Sequence, residues 1–274
     1  MEKQQFIDIH SHYLFGLDDG SRSLEETLGM LEQAASLNII HLLATPHATE
    51  LTDDAFSEQV LQRFKEVQNE VKKAGIPVQL SLAAELFFSR RLMDWLHYPW
   101  ATLANNKKYV LFELPLLDLP DGVGDFIFQC RLKGITPILA HPERYIFLHD
   151  KLEKLYAFFQ QGCLIQINAG SITGQFGQRV QNVALTFVKG GFVHFVASDA
   201  HETKHRNYRT LINAYEELSK FADSSFLNQL FFENPQKAIA GQPIKVQDVD
   251  DAIFAKKTDQ VKKWAKILKK KFFS

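Results

Sequence analysis

The chain has 274 residues, 46% hydrophobic and 23% charged, with a formal net charge of −1. These proportions are those of an ordinary globular protein, and the near-neutral charge argues against a generally basic nucleic-acid binder. The length exceeds the usual single domain but suits a barrel of alternating strands and helices that folds as one unit.

The first predicted element is a short apolar strand through Phe6, Ile7 and Ile9, running into His10-Ser11-His12 and a loop with Asp18-Asp19-Gly20. Residues two apart on a strand point the same way, so His10 and His12 aim at one point past its end. Ser23 and Glu26 read as a capping box opening a helix that ends near Asn38. A second strand spans Ile39–His47, and a long helix over Phe56–Lys73 stops at Gly75. The third strand, Val78–Leu86, carries Glu85. A short helix over Arg91–Leu96 precedes the fourth strand, Tyr109–Leu114, which carries Glu113.

After the Pro-rich loop Pro115–Gly124, a helix runs to Lys133, and the fifth strand, Thr136–Ala140, ends in His141-Pro142-Glu143-Arg144-Tyr145. A helix over Lys151–Gln161, the strand Leu164–Asn168, a helix over Phe176–Lys189 and the strand Val193–Ala197 follow, the last ending in Ser198-Asp199-Ala200-His201. Seven strands each followed by a helix imply parallel pairing through right-handed crossovers. The expected fold is an α/β barrel of seven strands, with an open sheet as the fallback. Helices are predicted over Tyr208–Ala222, Phe226–Phe232, Asp248–Lys257 and Asp259–Phe273. The last has Val261, Trp264, Ile267, Leu268 and Phe272 on one side and lysines on the other. Such a helix can pack on its own barrel, meet a partner or lie on an anionic membrane. Residues 1–247 are read as the barrel and 248–274 as a basic extension.

Cys130 and Cys163 are no disulfide framework and suit a reducing cytoplasm. The N-terminal Met-Glu-Lys-Gln-Gln lacks the build of a signal peptide, and no apolar run is long enough to span a bilayer.

The polar residues that interrupt these apolar strands fall at strand C-terminal ends: His10, His12, His47, Glu85, Glu113, His141, Asp199 and His201. In a parallel barrel those ends form the active-site face. Carboxylates inside apolar segments are costly without a partner, and cations resolve the cost. With Asp19 the set comprises five histidines and four carboxylates, too many for one ion and enough for two or three. Imidazoles and carboxylates without thiolate suit Mn²⁺, Fe²⁺ or Zn²⁺. Four carboxylates and a hydroxide against three divalent ions leave about +1, which attracts a phosphate dianion. Arg144 and Arg206 stand near these motifs and suit phosphate oxygens. His41, His97, His149, His194 and His205 lack strand-end placement and are read as structural. Tyr13, Phe87 and Phe88 are read as either a seat for an aromatic substrate or core. Neither cysteine is followed by an arginine at the spacing of a cysteine-dependent phosphatase, and no nucleotide-binding glycine loop or nucleophile elbow is present.

The runs Ile7–Gly20, Ala44–His47, Ala84-Glu85, Phe112-Glu113, Ala140–Tyr145 and Ser198–His201 resemble the polymerase-and-histidinol-phosphatase (PHP) superfamily. More closely, the sequence is similar to the bacterial capsule-locus tyrosine phosphatases of the CpsB/YwqE type, over roughly Phe6 to Ile244 and including Glu233-Asn234-Pro235. The resemblance implies a distorted seven-stranded barrel holding three divalent ions, usually Mn²⁺, with Fe²⁺, Zn²⁺ or Mg²⁺ as alternatives. It implies His10, His12, Glu85 and Asp199 on one ion; Glu85, Glu113 and His141 on a second; and Asp19, His47 and His201 on a third. Arg144 and Arg206 match the family's phosphate-contacting arginines and complete the catalytic set with His201. The implied substrate is phosphotyrosine in the tail of a membrane-associated autokinase controlling polysaccharide export, cleaved by metal-bound hydroxide. The alternatives are a phosphatase of a small metabolite such as histidinol phosphate, a nuclease-like phosphoesterase, and a non-enzymatic adaptor docking through its tail.

Overall fold

A computed structural model describes residues 4–49, 52–149 and 152–244. Nine strands are labelled in chain order: β1 (Phe6–Ser11), β2 (Ile39–Ala44), β3 (His47–Ala48), β4 (Gln79–Leu82), β5 (Glu85–Phe87), β6 (Tyr109–Glu113), β7 (Thr136–Ala140), β8 (Leu164–Asn168) and β9 (Phe195–Ala197). All pairings are parallel, in the orders β1-β2-β4 and β3-β5-β6-β7-β8-β9.

Two of the seven expected strands are broken. Ile39–His47 splits at Thr45-Pro46, where proline has no N–H for a ladder, and Val78–Leu86 splits at Ala83-Ala84. Single hydrogen bonds carry the pairing across both gaps, from Ala83 N to Ala44 O (2.8 Å) and from Glu85 N to Pro46 O (3.2 Å). The last strand returns to the first. Asp199 N donates to His10 O (2.9 Å) and His12 N to Ala200 O (2.8 Å), around a parallel bridge between Ser11 and Ala200. The result is a distorted seven-stranded barrel.

The principal crossover helices are α1 (Leu24–Ser36), α2 (Asp54–Ala74), α3 (Leu92–Trp95), α4 (Val123–Leu132), α5 (Leu152–Gln160), α7 (Gln178–Gly190) and α8 (Arg209–Ser219). An unexpected turn of helix, α6 (Ala169–Ile172), precedes α7. The predicted helix Phe226–Phe232 is instead α9 (Ser224–Asn228) running through a wide turn, Gln229–Glu233, into α10 (Asn234–Ile239), which has Pro235 in its first turn. The helices expected over Asp248–Lys257 and Asp259–Phe273, and the boundary at 247/248, lie outside the described residues. Among the described residues, no helix is long and apolar enough to cross a membrane.

The barrel interior explains the site above it. Ile9, Leu43, Ala83, Leu111, Ile138, Leu164 and Phe195, one from each of the seven expected strands, belong to a cluster separate from the larger core beneath the helices. Continuing two residues along three of these strands reaches Glu85, Glu113 and Gln166, and four residues past Phe195 stands Asp199. The same pleat that fills the barrel with methyl groups delivers polar groups to its mouth.

At α1, Ser23 Oγ accepts from Glu26 N–H (3.2 Å), while Glu26 Oε2 reaches back to Arg22 N–H (2.9 Å) rather than to Ser23 itself. Ser23→Ala is expected to cost about 1 kcal/mol. Urea unfolding should show it as a lower midpoint with an unchanged slope.

Candidate metal centre

The structure brings all nine candidate ligands together at the C-terminal mouth of the barrel. A register irregularity between Asp8 and Ser11 lies where β1 reaches the mouth. His10 and His12 nevertheless meet, with their Nε2 atoms 3.2 Å apart. Glu85 Oε2 lies 3.0 Å from His10 Nε2 and 3.4 Å from His12 Nε2. Asp199 Oδ1 lies 3.5 and 3.4 Å from the same two nitrogens. His141 Nε2 lies 2.7 Å from Glu85 Oε1 and 3.7 Å from Glu113 Oε2. His47 straddles two groups: its Nδ1 is 3.2 Å from Glu85 and 3.1 Å from Glu113, and its Nε2 is 3.4 Å from Asp19. His201 Nε2 is 3.3 Å from Asp19 Oδ1.

Backbone strain aims two of these side chains. His141 and Asp199 both adopt left-handed backbone, at φ 34° and 54°. Such conformations cost roughly 1–3 kcal/mol for residues other than glycine and persist where the surroundings over-determine them. Gly20 permits the turn beside His12, since a Cβ there would meet His12 O at 2.1 Å.

The hydrogen bonds fix the imidazole tautomers. Gln166 Nε2 donates to Asn168 Oδ1 (2.9 Å), so Gln166 Oε1 is free to accept from His10 Nδ1 (3.0 Å). Asp18 Oδ2 accepts from His12 Nδ1 (2.7 Å), and the Asp199 backbone carbonyl accepts from His201 Nδ1 (2.9 Å). Each imidazole therefore presents an Nε2 lone pair to the centre. The lone pairs of His10 and His12 face one another at 3.2 Å, and His201 Nε2 is buried without a hydrogen bond. Facing lone pairs repel unless a proton or a metal ion lies between them.

Four donors about 2.1 Å from one ion stand roughly 3.0–3.4 Å apart in octahedral or tetrahedral arrangement. The separations among His10, His12, Glu85 and Asp199 given above, 3.0 to 3.5 Å, match that spacing. Three overlapping sets have donor atoms all within 4.8 Å: His10, His12 and Glu85; His47, Glu85 and Glu113; and His12, Asp19, His47 and His201. The residues present fit divalent cations.

The electrostatics agree. Burial alone pushes Glu85 and Asp199 up, but neighbouring imidazoles, with Arg206 beside Asp199, hold both well below the usual carboxylate range. Burial disfavours charge on His10 and His12. Glu85 and Asp199 nonetheless pull His10 up, and Asp18 pulls His12 further. Burial likewise opposes charge on His47, yet Asp19 and Glu113 raise it to about 10. Burial and the neighbouring His12 push His201 the other way, so without metal it is His10, His12 and His47 that gather protons.

The two arginines meet Asp199 Oδ2, Arg206 Nη2 at 2.6 Å and Arg144 Nη1 at 3.5 Å, and the Arg144 guanidinium lies 4.7 Å over the Phe176 ring. The sequence points to Asp18 only as part of the loop with Asp19, not as the partner of His12, and does not mark Gln166 and Asn168 as supports of the ligands. Gln166 and Asn168 stand at the end of β8, the one strand that offered no histidine or carboxylate, so strand-end placement was a usable signal. Two of the suggested aromatic seats are core: Tyr13 is buried with its hydroxyl on Ser81 O (3.4 Å), and Phe88 packs edge-on against Phe126.

The sequence profile described as capsular polysaccharide synthesis, CpsB/CapC, matches residues 6–240. The chain belongs to the CpsB/CapC family. It is 31% identical to CapC of Staphylococcus aureus over 78% of this chain and 88% of that protein. It is 30% identical to the tyrosine-protein phosphatase CpsB of Streptococcus agalactiae over 85% of this chain and 98% of that protein. Among solved structures it superposes, with a TM-score of 0.80 and 30% identity, on a chain from the study of YwqE of Bacillus subtilis and CpsB of Streptococcus pneumoniae, described as metal-dependent tyrosine phosphatases. That match covers 87% of this chain and 96% of the other.

Partners of metal-bound imidazoles typically contribute ten- to a hundredfold in affinity. Asp18→Asn and Gln166→Leu are each expected to weaken Mn²⁺ binding by about that factor. Calorimetric titration of metal-stripped protein checks this, and unchanged affinity in both variants would contradict the tautomer assignment.

Proposed function

We propose that this protein is a metal-dependent protein-tyrosine phosphatase acting in capsular polysaccharide synthesis, with three divalent ions, Mn²⁺ foremost, at the barrel mouth. His10, His12, Glu85 and Asp199 would hold one ion, Glu85 with Glu113 and His141 a second, and Asp19, His47 and His201 a third. The observation that carries the reading is the pair of facing His10 and His12 lone pairs within a cage of carboxylates. Support comes from relatives named tyrosine-protein phosphatases. The proposed catalytic unit is residues 1–247, a reading supported by the span of the candidate ligands from His10 to His201.

Bound divalent ions supply Lewis acidity toward the phosphoryl oxygens and lower the pKa of water. The protein's own groups do the rest. Arg144 and Arg206 share one carboxylate oxygen of Asp199, and an arriving phosphate dianion offers them richer acceptors. Their fixed guanidinium planes then take up charge as the phosphorus–phenol bond breaks and a water oxygen replaces it. Phenolate is a good enough leaving group that no strong general acid is required. The proposed natural substrate is phosphotyrosine in the tail of a membrane-associated autokinase, met in the cytoplasm at the inner membrane face.

Protein purified without chelator should hydrolyse a phosphotyrosyl peptide well ahead of histidinol phosphate or single-stranded DNA, and lose that activity to chelator. A preference for histidinol phosphate would transfer the assignment to a small-metabolite phosphatase. Arg144→Ala is expected to lower kcat/KM about a hundredfold with full metal content by elemental analysis. His141→Ala and Glu113→Ala should lose both metal and turnover; retention of both would remove these residues from the centre.

A further inference from the structure

The candidate ligands are unequally exposed. His10, His12, Glu85 and Asp199 are at most 3% exposed, whereas Glu113, His47 and Asp19 are 14%, 29% and 65% exposed. Those three line one cavity of about 550 Å³, and Leu17 and Phe56 contribute apolar wall to it. Arg144 and Arg206 are not among its lining residues; they flank Asp199 instead. Arg206 also reaches toward the cavity's edge, its Nη1 4.0 Å from Asp19 Oδ2. A phosphoryl group held between the arginines and the cluster therefore has the cavity beside it, open to its remaining substituent.

The wall is held in place. Phe56 stands in the first turn of α2, with its N–H donated to the capping Asp53 Oδ1 (2.9 Å). Its ring meets Trp100 nearly edge-on at 5.8 Å, and Trp100 Nε1 donates to Ser57 Oγ (2.9 Å). Leu17 directly precedes Asp18 and Asp19, so the loop that brings Asp19 to the cluster also brings Leu17 to its rim. Both residues are half-buried. A cavity with charged groups on one side and fixed apolar side chains on another suits a ligand with an anionic head and an aromatic body.

We infer that Leu17 and Phe56 seat the phenyl ring of the substrate and so select aryl over alkyl phosphate monoesters. The inference rests on the phosphatase reading above. In phosphotyrosine a benzene ring separates the phosphate ester oxygen from Cβ. With phosphorus at the cluster, that ring falls beside Leu17 and Phe56 while the peptide backbone remains outside. Phosphoserine lacks the spacer. To place its phosphorus equally deep it would bring peptide N–H and C=O groups against the apolar wall, where they lose hydrogen bonds to water.

The test uses metal-loaded, full-length protein and two non-hydrolysable probes, phenylphosphonate and inorganic phosphate, titrated by calorimetry. Phe56→Leu and Leu17→Ala are each expected to weaken phenylphosphonate about fivefold to tenfold, the scale of one lost aromatic contact, and to change phosphate affinity by less than about twofold. With phosphotyrosyl peptide the same loss should appear in KM more than in kcat. Melting curves and metal content matching the parent exclude a folding defect, and Phe56→Leu keeps the test available should Leu17→Ala unfold. Equal losses for both probes, or none for either, overturn the ring seat. Discriminating probe binding in a parent protein that leaves phosphotyrosyl peptide intact would support the seat and overturn the phosphatase reading, so the two fail separately.

Discussion

Glu85 and Asp199 are carboxylates buried where an apolar barrel interior ends, and their charge must be answered by cations. Most of the polar architecture follows from that requirement. Glu85 is approached by three imidazole nitrogens through Oε2 and by His141 through Oε1. Asp199 turns one oxygen toward His10 and His12 and the other toward Arg206 and Asn168. Without metal, the counter-charge comes from protons on imidazoles, which is why His10, His12 and His47 are all drawn toward the protonated form. Divalent ions bound here would displace those protons, which would link occupancy of the centre to stability of the fold.

The fold supplies this cluster economically. The side-chain line that fills the barrel continues past the last apolar layer into Glu85, Glu113, Gln166 and Asp199. Where the line alone would aim a side chain wrongly, the backbone is bent: by the irregularity in β1, and by left-handed conformations at His141 and Asp199. Tyr145 secures the strand ends beside His141, its hydroxyl donating to Ala140 O (2.8 Å) and accepting from Leu114 N–H (2.9 Å). Barrel closure uses the same residues, since Asp199 N–H donates to His10 O across the seam between the last strand and the first.

Much of this was legible in the sequence because the signals were short-ranged. The bounds of β7 and β8 fall where apolar runs stop, and α2 ends at Gly75, which adopts the left-handed conformation that closes a helix. Polar residues at strand ends revealed the cluster, because period-two alternation makes an unexpected carboxylate conspicuous. What stayed hidden depends on the third dimension. The break at Thr45-Pro46 has a proline to signal it, whereas the apolar Leu82-Ala83-Ala84 gives no warning of the second. Gln166 and Asn168 are not metal-ligating residue types, so a linear sequence does not flag them, although amides orient those ligands. Leu17 and Phe56 look like ordinary packing residues in a linear reading, and only the cavity distinguishes them from Tyr13 and Phe88.

Asp199 concentrates these relations in one residue. Its strained backbone closes the barrel, one oxygen faces the cage, and the other keeps two arginines beside it. A guanidinium pair left uncompensated beside a cation site would work against it, so the Asp199 carboxylate at the cage also lets the arginines wait nearby. Phosphate carries charge of the same sign and oxygens of similar geometry, so it can take over that role toward the arginines without leaving charge unmatched. A chain with a net charge of only −1 thereby concentrates positive charge locally, where a phosphate ester needs it.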